Sequence, residues 1–127
     1  MGKILIDTSI IIDHLRLKNK RQTILYKLFQ NKHNLFASIL THTESYAGKS
    51  IWEKESARNH LKDVLAGIKI FPLEEIISQK AGEISARYNL EIVDAIIAAT
   101  AIFHKLELAT LNVKDFEKIA GLKLFKT

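Results

Sequence analysis

Four carboxylates stand at similar places in the sequence, at the end of a predicted β-strand or near the start of a predicted helix. Asp7 ends the first strand, Glu44 lies early in the helix expected after the second, Asp94 begins an apolar helix, and Asp115 follows the fourth strand. Gathered at one end of a sheet, these acids would repel one another and raise at least one pKa. A hard divalent cation such as Mg²⁺ removes that conflict, because it prefers oxygen ligands. The pattern therefore predicts a metal site suited to activating water and clamping a phosphate.

Each acid also has a purely structural interpretation. Asp7 could cap the helix that follows it. Asp94 could satisfy the free N–H groups at the start of its own helix, where the helix dipole favours a negative charge. Glu44 and Asp115 could instead be the back-reaching members of capping boxes that begin at Thr41 and Asn112. Taken singly, the structural and functional interpretations are about equally good. Only the convergence of all four acids favours a site.

Composition describes the kind of protein that carries these acids. Its 127 residues, 47% hydrophobic and 26% charged, predict one globular domain over residues 1–127. The absence of cysteine excludes disulfide and thiolate chemistry, and the five histidines show no zinc-ligand spacing. No apolar stretch approaches the roughly 18 residues of a membrane span, and the N-terminus lacks a secretory pattern. We therefore expect a cytoplasmic protein.

Net charge indicates the kind of partner. The 19 Lys and Arg residues exceed the 14 Asp and Glu residues, which gives +5. Without the four acids, ten acidic residues remain and the rest of the chain carries +9. An acidic pocket in a basic surface suits a phosphodiester substrate. The cluster Arg16, Lys18, Lys20 and Arg21 is either a solvated turn or a set of RNA backbone contacts, which would be salt-dependent.

The elements that position the acids alternate along the chain. Apolar runs predict strands at residues 3–6, 35–37, 68–71 and 108–109, with a weaker edge strand at 122–125. Helices are expected to start near Ser9 and, from capping-box patterns, at Asn19, Thr41 and Ser50, and then to cover 74–87, 94–103 and 112–119. The helix at 94–103 is apolar on nearly every face, which predicts burial all round. This alternation predicts an α/β sandwich with a mainly parallel sheet, whose ligands bind beyond the carboxyl ends of the strands.

Four segments carry a resemblance to a known family. "ILIDTSIIIDHL", "SILTHTESYAG", "VDAIIAATA" and "LATLNVKDF" resemble the four acidic motifs of the PIN-domain ribonucleases, and their order and the chain length are similar to those of the VapC-type toxins. The resemblance implies a three-layer α/β/α sandwich around a mainly parallel sheet of four to five strands. It also implies Mg²⁺- or Mn²⁺-dependent RNA cleavage, a homodimer, and inhibition by a cognate antitoxin. One departure is "YNLEIVD", which lacks the glycine or proline turn found in many members.

The resemblance also assigns roles to residues. Asp7 and Asp94 are the expected direct metal ligands, Glu44 is expected to hold water at the metal, and Asp115 to position water or a second ion. The attack of an activated water on the phosphodiester would leave 5′-phosphate and 3′-hydroxyl ends. The polar positions that shape the site in the family are matched here by Thr8, Thr110 and Asn112. We expect the dimer to bury the apolar surface of the second to fourth helices, including Trp52.

Two other functional classes compete with this interpretation. A phosphoacceptor receiver domain also gathers aspartates around Mg²⁺, but it requires an acid at the end of the third strand, where this chain has "IKIFP". A non-catalytic RNA-binding module explains the positive charge and leaves the four acids unexplained. Cleavage of RNA with and without a chelator distinguishes that module from a nuclease.

Overall fold

The structure is a computed structural model that describes residues 2–126. Its centre is a four-stranded sheet in which every neighbouring pair is parallel, with the strand order β3-β2-β1-β4. The parallel α/β fold expected from the sequence is therefore confirmed. The strands are β1 (Lys3–Ile6), β2 (Asn34–Ser38), β3 (Lys69–Phe71) and β4 (Glu107–Ala109).

Helices cover both faces of the sheet and make the three layers. Successive residues of a strand point to opposite faces, so Ile4 and Ile6 pack with α1, α2 and α5, whereas Leu5 packs with α6 and α7. Each face thus has its own apolar core. The helices are α1 (Thr8–Arg16), α2 (Ile24–Gln30), α3 (Ile39–Tyr46), α4 (Lys49–Glu53), α5 (Glu55–Ala66), α6 (Glu75–Tyr88), α7 (Ile92–His104) and α8 (Val113–Phe116).

The order of the strands creates a crevice beside β1. The chain steps from β1 to β2 to β3 in one direction and then returns to add β4 on the other side of β1. Connections that diverge in this way leave a gap at the carboxyl ends of β1 and β4, which is where ligands bind in open α/β sheets. The Asp7 N–H donates to the Ala109 carbonyl at 2.9 Å, so β1 and β4 stay paired up to the point where the crevice opens.

Three predicted helix starts are wrong. Asn19 caps only a short 3₁₀ turn at Lys20–Gln22, and α2 begins four residues later with the Thr23 hydroxyl accepting from the Tyr26 N–H at 3.1 Å. Ser38, not Thr41, caps α3 and accepts from the Leu40 N–H. The third start, at Ser50, lies inside α4, whose N-cap is Gly48. In each case the helix begins at a residue within about one turn of the predicted one.

The C-terminal elements are shorter than predicted. Of the edge strand at 122–125, only an isolated parallel bridge between Leu108 and Leu124 forms. The last helix, α8, covers four residues. The apolar helix α7 is buried from Ala95 to Ala101, but Phe103 is 43% exposed, so burial all round was wrong at its C-terminal end. None of the described helices is both long and apolar enough to cross a membrane.

Candidate active site

Asp7 is the most firmly held of the four acids. It directly follows β1, is 3% exposed, and serves as the N-cap of α1 by accepting from the Thr8 N–H at 2.8 Å through Oδ1. Its Oδ2 accepts from the Ser9 hydroxyl at 2.8 Å and from the Thr110 hydroxyl at 2.7 Å. The capping interpretation of Asp7 is therefore correct. It accounts for only one of the two oxygens, and the other faces the β4 side of the crevice.

Glu44 is connected to the same helix start by a hydroxyl. The Thr8 Oγ1 donates to Glu44 Oε1 at 2.5 Å and lies 3.1 Å from the Thr41 hydroxyl. Thr41 is fully buried inside α3, one turn before Glu44, and therefore cannot begin a capping box. The structural interpretation of Glu44 is thus wrong. Thr8 fixes the position of Glu44 relative to Asp7.

Asp94 lies in the first turn of α7 and is half-buried. Burial, and after it the negative charges of Asp7, Glu44, Glu91 and Asp115, raise the pKa of the Asp94 carboxyl to about 6, from an ordinary value of 3.8. Three of these four charges belong to acids that the sequence singled out, so their grouping around Asp94 stays a prediction that the electrostatics supports.

Thr110 and Asn112 shape the loop that follows β4. The Thr110 hydroxyl donates to Asp7 and accepts from the Asn112 N–H at 2.9 Å. Asn112 is the N-cap of α8, but its side chain makes no capping bond, and the Asp115 N–H bonds the Asn112 carbonyl at 3.1 Å instead. The capping-box interpretation of Asp115 is therefore not supported. Asp115 is exposed and near enough to influence Asp94.

Two residues of the site were missed by sequence reasoning. The Ser9 hydroxyl donates to Asp7 and accepts from the Leu111 N–H at 3.1 Å, which ties α1 to the loop after β4. Glu91, the N-cap of α7, adds a fourth negative charge near Asp94. Ser9 had a usable signal, since it follows Asp7 by two residues, the spacing at which a side chain can reach the capping carboxylate. The three-residue spacing of Glu91 and Asp94 at a helix start was the signal for Glu91.

The basic cluster is not uniform. Lys20 donates from Nζ to the carbonyls of His14 and Leu15 at 2.6 and 2.8 Å, so it caps the C-terminal end of α1. Lys18 and Arg21 are exposed near the 3₁₀ turn. Arg16 and Glu44 line one cavity. Of the four basic residues, Arg16 is the one that shares a cavity with one of the acids.

The donor set fits a hard divalent cation. The side chains around Asp94 offer carboxylate and hydroxyl oxygens, with no histidine or cysteine among them. Within residues 2–126, no three His, Cys, Asp or Glu side chains lie close enough together to ligate one ion. Mg²⁺ keeps several of its waters and takes only one or two carboxylates directly. Carboxylates that do not close around one point therefore fit a water-carrying Mg²⁺ ion better than a closed zinc site.

The family of the protein follows from comparison with known proteins. The model of the PIN domain family matches residues 4–122, nearly the whole chain. The protein therefore belongs to the PIN domain family, as the four motifs predicted. Within that family it belongs with the VapC type: Ribonuclease VapC19 of Mycobacterium tuberculosis strain H37Rv is 32% identical over 124 residues, covering 94% of this chain and 96% of the relative.

Solved structures agree with this assignment. A toxin–antitoxin complex from Klebsiella pneumoniae contains a chain that is 28% identical, with a TM-score of 0.75 and 94% of each chain covered. A DNA-bound VapBC complex from Salmonella typhimurium is 21% identical, with a TM-score of 0.79 and 98% of each chain covered. The second likeness shows the shared fold alone. Together with the layer order described above, it confirms the PIN-like α/β/α sandwich.

Proposed function

We propose that this protein is a Mg²⁺- or Mn²⁺-dependent endoribonuclease and the toxin of a type II toxin–antitoxin pair in the cytoplasm. The observation that carries the proposal is the convergence of the carboxylates of Asp7, Glu44, Glu91 and Asp115 on Asp94, whose pKa is raised to about 6. A cluster that disfavours its own ionisation is suited to a cation. The ribonuclease name of the relatives supports RNA as the substrate.

The roles of the residues follow from how firmly each is held. Asp7 and Asp94 would hold the cation, because Asp7 is fixed by three hydrogen bonds and Asp94 is half-buried with the charges of four other acids acting on it. A divalent ion bound there would supply an acidified water and neutralise charge on the phosphodiester. Glu44, oriented by Thr8, would hold the attacking water by hydrogen bonding. Asp115, on an exposed turn, would position a water or a second ion.

The polar residues around Asp7 would preserve this arrangement without touching the substrate. Ser9 and Thr110 both donate to Oδ2 of Asp7, which leaves that carboxylate a single orientation toward the crevice. Asn112 orients Thr110 through its backbone N–H. These residues would therefore act as positioning residues, and their loss should weaken cation binding before it affects the fold.

The proposed partners are an antitoxin and a second copy of the chain. The solved relatives are toxin–antitoxin complexes, which supports an antitoxin for this protein. A lysine or arginine of that antitoxin that enters the acidic pocket would be attracted by the carboxylates and would relieve their mutual repulsion, as a cation does. We also propose a homodimer through the surface that includes Trp52, whose side chain is 62% exposed.

A cleavage assay tests the nuclease proposal. Purified protein incubated with RNA should cleave it when Mg²⁺ or Mn²⁺ is present and should stop when EDTA is added, and Zn²⁺ should substitute poorly. Asp94→Ala should lower the cleavage rate by a factor on the order of 10³ or more. Asp63→Ala is the matched control, because Asp63 is an exposed acid on α5 outside the cluster. Undiminished cleavage in excess EDTA would refute the metal mechanism, and RNA binding without any cleavage would favour the non-catalytic module.

A further inference from the structure

A cavity of about 230 Å³ lies beside the candidate active site, between α1, α4 and α5. Its walls are mainly apolar: Ile12 and Leu15 come from α1, Ile51 from α4 and Ala57 from α5. The same cavity is also lined by three side chains with polar or charged groups, Glu44, Arg16 and His60. None of the roles proposed above for the acids uses this cavity.

We propose that this cavity is a nucleobase subsite, which takes up the base of a nucleotide flanking the phosphodiester that is cut. The proposal rests on the proposed nuclease function and deepens it. It assigns to the cavity the part of RNA recognition that the acidic residues cannot supply, because they contact only the phosphate and water. Single-stranded RNA is read mainly through unstacked bases placed against protein surfaces.

Size and polarity fit a base. An apolar cavity of about 150 Å³ takes up benzene, so one of about 230 Å³ has room for a larger planar ring. Ile51 is buried and Ile12, Leu15 and Ala57 are half-buried, so they offer flat apolar contacts. Hydrogen-bonding groups for a base edge are also present, in the Ser45 and Ser50 hydroxyls. Ser45 uses its proton on the Thr41 carbonyl at 2.7 Å and can therefore still accept a bond.

Arg16 and His60 have the chemistry of base and phosphate recognition. The His60 ring lies beside that of His14, with centroids 6.0 Å apart and planes 24° from parallel. Bases stack favourably on such rings and on the planar guanidinium group. Among residues 2–126, Arg16 makes no salt bridge, although Glu44 lines the same cavity. It is therefore available for the RNA.

Continuity with the acids determines which nucleotide would bind. Glu44 lines the cavity and also accepts the Thr8 hydroxyl that links it to the start of α1 beside Asp7. A base in the cavity therefore belongs to a nucleotide next to the reacting phosphate. The phosphate backbone of that nucleotide would pass Arg16, so that its negative charge would lie near the positive guanidinium group. A peptide segment also suits an apolar groove, but the shared Glu44 and the free guanidinium favour the substrate strand.

The test combines a cavity-filling variant with RNAs that lack one base. Ala57→Leu fills the cavity, and Ala86→Leu makes the same change on the exposed part of α6 as a control. Abasic nucleotides are placed in turn at the positions within about two nucleotides of the cut, the reach of adjacent stacking sites. One abasic position should lower kcat/KM of the wild type about 5- to 150-fold, the range expected for a stacked base. Ala57→Leu should cause a similar loss on intact RNA, and the two losses should not add.

A second pair of variants covers the case in which Ala57→Leu disturbs folding. Arg16→Ala should raise KM more than Arg87→Ala, which removes an equal charge on α6. Arg16→Ala should also reduce the loss of kcat/KM that the abasic nucleotide causes. Additive losses, or equal effects of the two arginine changes, would overturn the subsite. So would a fully active Ala57→Leu protein that no longer binds an antitoxin peptide, because the cavity would then serve a protein partner. A wild type that cuts no RNA would instead refute the nuclease function itself.

Discussion

Asp7 shows that a helix cap and a functional carboxylate are not competing descriptions of one residue. Its Oδ1 satisfies the Thr8 N–H at the start of α1, whereas its Oδ2 receives the Ser9 and Thr110 hydroxyls. The cap holds the side chain in one orientation, and the two hydroxyls aim it at the crevice. An acid at the end of a buried strand can thus stabilise a helix and serve a site at once.

Asp94 provides the sharpest test at the scale of single residues. The pKa of Asp94 rises from 3.8 in the unfolded chain to about 6 in the folded protein, so ionisation of Asp94 lowers the free energy of unfolding. This destabilisation is fully present at pH values above the folded pKa and absent below the unfolded pKa. Asp94→Asn should therefore stabilise the metal-free protein near neutral pH, by about 1 kcal/mol once the partial exposure of the carboxyl is allowed for. Urea denaturation in EDTA measures this.

Added Mg²⁺ should reverse the order of the two proteins. A ligand that binds only the folded state stabilises it in proportion to its occupancy, so wild type should gain stability in Mg²⁺ and Asp94→Asn should lose most of that gain. Asp63→Asn is the control, since it removes an exposed charge outside the cluster. If Asp94→Asn lowered stability equally in EDTA and in Mg²⁺, Asp94 would be only a helix-start residue.

At the scale of elements, sequence predicted the sheet better than the helix starts. The strands were predictable because each is a short apolar run, and the acids because they lie at strand ends or near helix starts. The start of α3 was not, because Ser38 and Thr41 are both good capping residues and only the extended backbone at Ser38 decides between them. The same ambiguity between Asn19 and Thr23 displaced α2. Capping patterns therefore locate a helix start only to within about one turn.

His14 links three elements and should make the fold sensitive to acid. Its Nδ1 lies 2.7 Å from the Thr23 hydroxyl at the start of α2, and its ring stacks on His60 of α5. The Thr23 hydroxyl donates its proton to the Lys20 carbonyl, so the imidazole must be the donor in the His14–Thr23 bond. Burial, together with the positive charges of Lys20 and His60, lowers the pKa of His14, although Asp13 opposes this.

The resulting pH dependence has a definite sign. Below pH 6.5, the ordinary pKa of histidine, His14 binds a proton in the unfolded chain but stays neutral in the folded protein until its lower pKa is reached. The free energy of unfolding should therefore fall as the pH drops below 6.5. His14→Asn keeps a donor for Thr23 and cannot titrate, so its acid-side loss should be smaller. Both proteins should be measured in an Asp94→Asn background, because Asp94 titrates in the opposite direction. The control His42→Asn should keep the loss due to His14, and an unchanged slope in His14→Asn would contradict this account.

At the scale of the whole molecule, the exposed apolar residues bear on assembly. Trp52 is 62% exposed, yet its indole N–H donates to the Tyr46 carbonyl at 2.6 Å and Arg58 lies 5.6 Å from the ring. An exposed aromatic side chain held in one position is typical of an interface anchor. In sedimentation equilibrium, wild type should therefore have the mass of a dimer and Trp52→Ser that of a monomer. Ile76→Ser, equally exposed on α6, should remain dimeric, and a monomeric wild type would refute the assignment.

The distribution of charge predicts how the metal-free protein binds RNA. The chain carries +5 overall, but the acids around Asp94 oppose a phosphate backbone at the place where it must be cut. Asp94→Asn and Asp63→Asn change the net charge equally, so any difference between them reports the position of the charge. In EDTA at neutral pH, Asp94→Asn should bind RNA several-fold more tightly than Asp63→Asn, since a charge close to a phosphate is screened less than a distant one.

Mg²⁺ should tighten RNA binding by the wild type and leave RNA binding by Asp94→Asn nearly unchanged. Fluorescence anisotropy with a short labelled RNA measures this, and Mn²⁺ can replace Mg²⁺ as a check. Equal affinities for the two variants in EDTA would mean that the phosphate backbone does not approach the acids, and the substrate path proposed for this crevice would then be wrong.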